Sequence, residues 1–400
     1  MRRFEGSREV LVCSARRSLF LAMSMALYIG CAAQEPCPVT PAEPTSEPFL
    51  LAPLPPAPPE AAPRPPALVS FKEGKTRTAL VDFVTRVTDE SSPDFVPVES
   101  RIAVFDNDGT LWSEQPLYFE FEFALDRVLD QLAQNPAPAW SKKAWAVKLK
   151  KNGKQAMAAL DSKALLEIFV AANAGLDEAG FRVVASEWFK KAKHPRFNRP
   201  YSELTFVPMV ELLAYLREHG FKTFIVSGGS SRFIRVFAEV AYGILPEQVV
   251  GSYLDAKYEL RDGHGFVVAE PKLGFIDDGA GKPVGIARGI GRAPIIAVGN
   301  SDGDREMLEY VTSQAGARLG VLVHHDDAER EFAYDRGSKI GTLDKALDQA
   351  ATARWLVVSM KNDFAIVYTP PTAAVVPPVE PTGPTVPVAS ATPGTPSLAP

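Results

Sequence analysis

The chain is poor in cysteine, and the part of it that is expected to fold contains none. Its 400 residues include three cysteines, Cys13, Cys31 and Cys37, and all three lie near the N-terminus. A body without cysteine has neither a disulfide framework nor a thiol nucleophile. The cysteine pattern therefore excludes a disulfide-stabilised fold and a cysteine-dependent enzyme.

The chain also lacks a basic block and a long apolar run near its start. Lysine and arginine number 43 against 48 acidic residues, and the formal net charge is -5. Because no basic stripe stands out, nucleic acid is not expected as a partner. The apolar run at residues 19–30 has 12 residues, which is too few to span a bilayer as a helix.

That apolar run has the surroundings of an export signal. Arg16 and Arg17 precede it, and Cys31 follows it directly. The junction of Gly30 and Cys31 resembles a bacterial lipoprotein cleavage site, where the cysteine is lipidated. We therefore expect residues 1–31 to be a signal, and the protein to be exported to the cell envelope as a lipoprotein, on the periplasmic side or the outer membrane. Its membrane tether would be lipidated Cys31, and the alternatives are an ordinary cleaved signal and an uncleaved anchor.

Two proline-rich stretches flank the body of the chain. Residues 36–66 contain 13 prolines in 31 positions, and residues 369–400 contain 10 in 32. Proline removes the backbone donor, and neither stretch offers a periodic apolar face. We therefore expect a disordered linker at residues 32–70 and a disordered tail at residues 369–400.

Within the body, three apolar runs without polar alternation predict buried strands. They lie at residues 101–105, 221–227 and 293–299. Helical patterns separate them, so we expect an α/β fold, a Rossmann-like three-layer core with a central parallel sheet. A mostly helical stretch follows the first strand and predicts an inserted helical cap.

Several further elements can be predicted from the same patterns. Residues 75–88 and 232–241 predict helices, and Asp262 with Gly263 predicts the tight turn of a hairpin. Residues 355–368 predict a final hairpin. Residues 318–325 predict a further buried strand, which His324 and His325 close. Adjacent side chains of a strand point to opposite sides, so the two histidines are not expected to share a metal ion, and we treat them as loop residues.

A polar cluster follows each of the three predicted strands. The clusters run from Asp106 to Thr110, from Ser227 to Gly229 and from Asn300 to Asp304. Ligands of open parallel sheets bind beyond the carboxyl ends of the strands, so the clusters are expected to converge. Two carboxylates at the end of a buried strand repel each other and lose their hydration. A cation is therefore expected among them.

These clusters resemble the motifs of a known family. The segments DNDGTLW, VSGGS and GNSDGDREM, with a lysine before the strand APIIAVG, are similar to the four motifs of the haloacid dehalogenase superfamily of phosphohydrolases, in particular its phosphoserine phosphatase branch. The resemblance covers roughly residues 75–368. It implies a core of the family's fold at residues 71–112 and 206–368, with the helical cap at residues 113–205.

The resemblance implies catalytic roles for three side chains. Asp106 would be the nucleophile that becomes an aspartyl-phosphate, and Asp108 the general acid and then the general base. A lysine would balance the charge of the phosphoryl group. Lys272 and Lys282 compete for this role, and the spacing to the last motif favours Lys282.

The resemblance also implies a phosphate site and a metal site. The residues expected to bind the phosphate or to fix its loop are Thr110, Ser227, Gly228 and Gly229. Mg²⁺ would be held by Asp106, the backbone carbonyl of Asp108 and an oxygen of the last motif. In that motif an asparagine, Asn300, stands where the family usually has aspartate. We take Asp302 as the ligand from this loop, with Asn300 and Asp304 as alternatives.

The function expected from these residues is hydrolysis of a small phosphate monoester, phosphoserine or another small organophosphate, by an exported Mg²⁺-dependent phosphatase. Dehalogenation, phosphonate cleavage and a non-catalytic protein that binds phosphate or metal are the alternatives. Arg196 and Arg199 could clamp a substrate carboxylate or lie at the surface. Glu114 and Gln115 could contact an amine or hydroxyl of the substrate.

Overall fold

A computed structural model describes residues 67–134 and 137–370 of the protein. The expected signal, the expected lipidation site at Cys31 and the proline-rich tail from residue 371 lie outside the described residues, as does most of the linker. Within the described ranges, no helix combines the length and the apolar composition that crossing a bilayer requires.

In the described residues, eight strands form one sheet at the centre of the body. The strands are β1 (Ile102–Phe105), β2 (Lys222–Ser230), β3 (Val249–Arg261), β4 (His264–Phe275), β5 (Ile296–Gly299), β6 (Leu319–Asp326), β7 (Ala333–Tyr334) and β8 (Leu356–Ser359). Their order is β4-β3-β2-β1-β5-β6-β7, with β8 beside β6. The pairs β1–β2, β1–β5, β2–β3, β5–β6 and β6–β8 are parallel, whereas β4 and β7 pair antiparallel at the margins. The predicted central parallel sheet is confirmed.

Twelve α-helices accompany the sheet in the described residues. The helices are α1 (Lys75–Thr88), α2 (Phe119–Ala133), α3 (Ala144–Asn152), α4 (Ser162–Asn173), α5 (Glu178–Lys191), α6 (Val207–Glu218), α7 (Ser231–Ile234), α8 (Ala238–Tyr242), α9 (Gly281–Gly289), α10 (Arg305–Thr312), α11 (Lys345–Ala353) and α12 (Met360–Asp363). Four of them, α2 to α5, lie between β1 and α6, the helix that leads into β2.

The central strands are buried on both faces, which explains their continuous apolar runs. Ala103 and Phe105 of β1 belong to a core that includes α1, α6, α7 and α8. Val104, which points the other way along the pleat, belongs to a core that includes α9, α10 and α11. The sheet is therefore the middle layer of three, as the sequence predicts.

The inserted helices have an apolar core of their own, built from α2, α3 and α4. The turn between α4 and α5 is attached to the body at two places. Arg232 at the start of α7 donates hydrogen bonds to the carbonyls of Asn173, Leu176 and Asp177. The backbone N–H of Gly175 donates to the carbonyl of Ala269 in β4. These contacts hold the insertion over the edge of the sheet where β2 ends.

The turn between β3 and β4 is formed as the sequence predicts. Asp262 has φ of 50° and Gly263 has φ of 79°. Two successive residues in the left-handed region are typical of the tight hairpin turn that matches the twist of antiparallel strands. Aspartate and glycine are two of the residue types that adopt this conformation readily.

Two predicted elements are wrong. Residues 355–368 do not form a hairpin, because Leu356–Ser359 pairs in parallel with β6. The hydroxyl of Ser359 then accepts the backbone N–H of Asn362 and so starts α12. The helix predicted at 232–241 is two short helices, α7 and α8, separated by residues 235–237.

Candidate active site

The three predicted polar clusters meet at one cavity of about 450 Å³, where β1, β2 and β5 end. The cavity is closed above by residues of α2 and α4 and at one side by residues that end β4. Seven of the residues predicted from the sequence line this cavity: Asp106, Asp108, Glu114, Ser227, Gly228, Gly229 and Lys282. A groove of similar volume is lined by residues that precede β1 and β5, so it belongs to the opposite edge of the sheet.

Lys282 connects two buried carboxylates at the floor of the cavity. Its Nζ lies 2.6 Å from Asp106 Oδ1 and 2.6 Å from Asp304 Oδ1, and it also donates to the carbonyl of Val226 at 2.9 Å. The lysine is 2 % exposed. The competing Lys272 is exposed and pairs with Asp255. Of the two lysines, the structure brings only Lys282 to the site.

The charges of this cluster do not balance. Burial raises the pKa of Asp106 and repulsion from Asp304 raises it further, although Lys282 opposes both effects. Burial lowers the pKa of Lys282, but the attraction of Asp106 and Asp304 exceeds it, so its pKa is raised. The ammonium therefore stays charged, and one cation faces at least two carboxylates.

Asp108 lies two residues beyond Asp106, on the loop that turns back over the strand. Trp112 Nε1 donates to its Oδ1 at 2.8 Å and fixes its orientation. Burial raises the pKa of Asp108, and the bond from Trp112 opposes this only in part. A carboxyl group with a raised pKa retains its proton at higher pH, as a general acid must.

Gly229 keeps one side of the cavity open. A Cβ built on this residue would lie 3.2 Å from Glu120 Oε2 and 3.4 Å from both Asp108 Oδ2 and Ser227 Oγ. Polar groups thus approach the position of Gly229 from three elements. Ser227 is buried, and its hydroxyl accepts the backbone N–H of Gly229 at 3.2 Å.

The last motif is arranged differently from the prediction. Asp302 Oδ1 accepts the backbone N–H groups of Asp344 and Ala346 and thereby holds the start of α11. Asp302 does not line the cavity. The preference for Asp302 as metal ligand is therefore corrected, because its carboxylate is used to stabilise a helix terminus.

The alternatives in that motif lie at the site. Asn300 Oδ1 accepts the hydroxyl of Thr110 at 3.0 Å, and its Nδ2 donates to Glu114 Oε1 at 2.8 Å. Asp304 Oδ2 accepts the backbone N–H groups of Asn300 and Ser301 at 2.9 and 3.0 Å. Asn300 thus connects the first motif to the last, whereas both oxygens of Asp304 are occupied in orienting Lys282 and this loop.

The donor set fits a hard divalent cation only when amide and main-chain oxygens are included. Among the described residues, no three side chains of His, Cys, Asp or Glu converge as a metal site. The oxygens of Asp106 and Asn300 both contact the hydroxyl of Thr110, which places them close together. With the carbonyl of Asp108, which the family resemblance adds, they would make an oxygen set of the kind Mg²⁺ takes. The surplus of buried carboxylates over Lys282 favours a bound cation.

Sequence reasoning missed Glu120 and Tyr334 altogether. Glu120, in the first turn of α2, accepts the backbone N–H of Ser230 at 2.6 Å and also its hydroxyl. Burial raises the pKa of Glu120 to about 7. Tyr334 of β7 donates to Glu114 Oε1 at 2.7 Å. The one signal in the sequence is a pair of acidic residues, Glu120 and Glu122, within the aromatic run FEFEF, and this pattern is also compatible with an ordinary helix start.

Other candidates lie away from the cavity. Arg196 donates to the carbonyls of Ala328 and Glu329, and Arg199 pairs with Glu203, so neither is placed to clamp a substrate carboxylate. Gln115 donates to Ile340 O. The strand predicted at residues 318–325 is confirmed as β6, and the two histidines lie within it rather than in a loop. His325 Nε2 donates to the carbonyl of Gly109 at 2.7 Å.

Asp277 is a buried acid beside the site, and no basic side chain of the described residues contacts its carboxylate. Within the described chain both of its carboxylate oxygens lack a hydrogen-bond partner. Burial raises its pKa from 3.8 to about 7, with Lys282 opposing this. When the pKa of an acid is higher in the folded state than in the unfolded state, its protonation stabilises the folded state. This stabilisation is complete at pH values below the pKa of the unfolded state, and it is lost as pH rises through the pKa of the folded state.

We expect the variant Asp277→Asn to lose this pH dependence. Between pH 4 and pH 8 the free energy of unfolding of the variant, relative to the parent protein, should rise by up to about 4 kcal/mol, the equivalent of roughly three pKa units. Urea unfolding at several pH values measures the difference. Asp262→Asn at the exposed hairpin turn is the matched control. A constant difference across the range would show that Asp277 titrates normally.

Comparison with known proteins yields one family match. The model of the family described as haloacid dehalogenase-like hydrolase matches residues 103–309. Among curated proteins none matches the chain.

Solved structures match at low identity. A conserved protein of unknown function from Anaerococcus prevotii is 16% identical over 71% of this chain and 91% of its own, with a TM-score of 0.46. A protein of unknown function from Bordetella pertussis is 18% identical over 64% and 97%, with a TM-score of 0.40. A phosphoserine phosphohydrolase-like protein from Francisella tularensis is 17% identical over 63% and 98%, with a TM-score of 0.32.

Proposed function

The chain belongs to the family of haloacid dehalogenase-like hydrolases, and from this membership we propose that it is a phosphatase. We propose further that it is exported, depends on Mg²⁺ and hydrolyses a small phosphate monoester through an aspartyl-phosphate. The observation that carries the proposal is the placement of Asp106 at the cavity floor, bound to Lys282 and two residues from an acid with a raised pKa. The reaction needs a nucleophile, a countercharge and a proton donor at one place.

In the first step, a carboxylate oxygen of Asp106 bonds to phosphorus as the bond from phosphorus to the leaving oxygen breaks. Asp108 gives its proton to that oxygen, so the product leaves as an alcohol. In the second step, Asp108 takes a proton from water. The water oxygen bonds to phosphorus, the bond to Asp106 breaks, and inorganic phosphate is released.

The remaining residues hold the phosphoryl group in line for this transfer. The hydroxyl of Ser227 and the backbone N–H of Gly228 donate to its oxygens, and Lys282 balances part of its charge. The backbone N–H of Gly229, which donates to the Ser227 hydroxyl, would turn to the phosphoryl group when it is bound. Asp106, Asn300 and the carbonyl of Asp108 would hold Mg²⁺. The ion, when bound, supplies positive charge that offsets the repulsion between the carboxylate and the phosphate.

The rival reactions are less compatible with the site. Dehalogenation has no leaving alcohol, so a positioned acid such as Asp108 would have no role. Phosphonate cleavage requires an amine nucleophile, and Lys282, the lysine that lines the cavity, is engaged by two carboxylates. Export and a membrane tether through Cys31 remain proposals that rest on the leader sequence.

Metal dependence is tested with p-nitrophenyl phosphate. We expect chelation to lower phosphate release by at least about 100-fold, since several kcal/mol of charge stabilisation are lost, and added Mg²⁺ to restore it. Asn300→Ala should raise the Mg²⁺ concentration for half-maximal activity by about tenfold or more. Asp302→Asn, the matched control on the same loop, should leave that concentration unchanged.

Three outcomes would contradict this reading. Activity that is insensitive to chelation would exclude the metal. A stronger effect of Asp302→Asn than of Asn300→Ala would restore Asp302 as the ligand. Binding of p-nitrophenyl phosphate without release of phosphate would show a binding protein instead of an enzyme.

A further inference from the structure

The cavity extends beyond the phosphate site into a chamber of distinct chemistry. Its walls come from α2, α4 and the end of β4, and they are mostly apolar or aromatic. The side chains that line this chamber are Tyr118, Phe121, Leu166, Phe169, Leu273 and Ile276. Because the phosphate must lie against Asp106, the chamber receives the leaving group.

Two buried carboxylates, Glu114 and Glu120, also line the cavity, and their donors in the described chain are neutral. Glu114 accepts from the amide of Asn300 and the hydroxyl of Tyr334. Glu120 accepts from the backbone and the hydroxyl of Ser230. Both are almost fully buried, at 1 % and 6 % exposure. Arg232 also attracts the charge of Glu120, but its guanidinium donates to main-chain carbonyls and not to this carboxylate. Buried carboxylates whose hydrogen-bond donors are all neutral are costly, so a cation that enters the chamber would be favoured.

The chamber offers nothing to an anionic leaving group. Of the residues that line the cavity in the described chain, Lys282 alone is basic, and Asp106 and Asp304 already bind it. Arg196 and Arg199 contact other parts of the protein. A substrate carboxylate would lose its hydration beside Glu120 and gain no partner, so phosphoserine is a poor fit.

We propose that the substrate is the phosphate monoester of an amino alcohol that carries no carboxylate. This inference rests on the proposed phosphatase function and names its substrate class. The phosphate lies between Asp106 and Ser227, and the ammonium group lies beside Glu120 among the aromatic rings of the chamber. Carboxylates stabilise the positive charge by ion pairing, and aromatic rings add cation–π attraction.

The proximity of Glu120 to the reacting atoms sets the length of the alcohol. Glu120 Oε2 and Asp108 Oδ2 both lie within 3.4 Å of the point where a Cβ of Gly229 would be. The leaving oxygen receives its proton from Asp108, so the ammonium must be a few bonds away from that oxygen to reach Glu120. Esters of two-carbon amino alcohols satisfy this geometry.

A pair of isosteric substrates provides the test. Choline phosphate and 3,3-dimethylbutyl phosphate have the same shape and differ by one positive charge. We expect kcat/KM for choline phosphate to exceed that for the neutral ester by at least about tenfold, as expected for a cation stabilised by aromatic rings and a carboxylate. O-Phosphoserine should be hydrolysed less efficiently than either. p-Nitrophenyl phosphate reports whether the enzyme is active at all.

The variant Glu120→Gln tests whether Glu120 causes the preference for choline phosphate over the neutral ester. It keeps the size and one of the two hydrogen bonds from Ser230 but removes the charge, so the ratio of the two kcat/KM values should fall by about tenfold. Glu239→Gln, an exposed position on α8, should leave the ratio unchanged. Thermal unfolding checks that both variants fold. If Glu120→Gln is unfolded, inhibition of the parent enzyme is measured instead. We then expect choline to inhibit and 3,3-dimethylbutanol not to inhibit.

The outcomes separate this inference from the proposed function. Hydrolysis of all esters with equal or greater efficiency for the neutral ester or for phosphoserine would overturn the substrate class alone. An unchanged ratio in folded Glu120→Gln would do the same. Failure to release phosphate from any ester, p-nitrophenyl phosphate included, would overturn the phosphatase function itself.

Discussion

Replacement of Asp106 by asparagine is expected to lower phosphate release by at least about 10⁴-fold, because an amide oxygen does not form the covalent intermediate. The fold should be retained. Asparagine has nearly the same shape, Lys282 keeps its contact with Asp304, and the lost carboxylate is one whose pKa burial raises. Removal of a charge that is disfavoured in the folded state should not lower the free energy of unfolding.

The measurement is phosphate release under saturating Mg²⁺, together with urea unfolding of the same samples. Asp82→Asn, on an exposed position of α1, is the control for the chemical change itself. Mass spectrometry must exclude deamidation of the new asparagine, since one per cent of regenerated aspartate would simulate slow turnover. Full activity in a variant of verified mass would refute the aspartyl-phosphate.

The sheet could be predicted because its central strands are buried on both faces. A run such as IAVF in β1 is apolar at every position for this reason alone. The turn at Asp262 and Gly263 was equally readable, since few residue types adopt two successive positive φ angles. The error at residues 355–368 has a physical origin too. An apolar run shows that a strand is buried but does not show whether its neighbour is parallel or antiparallel.

The site residues could be predicted where a polar residue directly follows a buried apolar strand. Asp106 and Ser227 follow from the ends of β1 and β2, and the structure places both at the cavity. Asp302 was misassigned because one loop carries two aspartates, and only the fold shows that Asp302 binds the start of α11 while Asp304 binds Lys282. Glu120 reaches the site from a helix that begins 13 residues after Asp106, and no local spacing marks such a contact.

Replacement of Lys282 by methionine should reduce both activity and stability. Methionine preserves most of the volume but removes the one charge that Asp106 and Asp304 share. Removal of one partner from a buried ion pair typically costs about 3–5 kcal/mol, because the remaining charge is left uncompensated. We expect a loss of this size in urea unfolding without metal at neutral pH, and a loss of at least about 10³-fold in kcat/KM, since the phosphoryl charge loses its fixed cation.

The sign of the pH dependence identifies the cause of this instability. Without the ammonium, the pKa of Asp106 rises further above its usual value, so stability is retained at low pH and lost as pH rises through the new value. The deficit of Lys282→Met should therefore be smaller at pH 5 than at pH 8. In the double variant Lys282→Met/Asp304→Asn one of the two uncompensated carboxylates is gone, and at least about 1 kcal/mol of stability should return without activity. If the double variant is no more stable than Lys282→Met, the loss comes from packing, and the charge cluster does not determine the stability of the site.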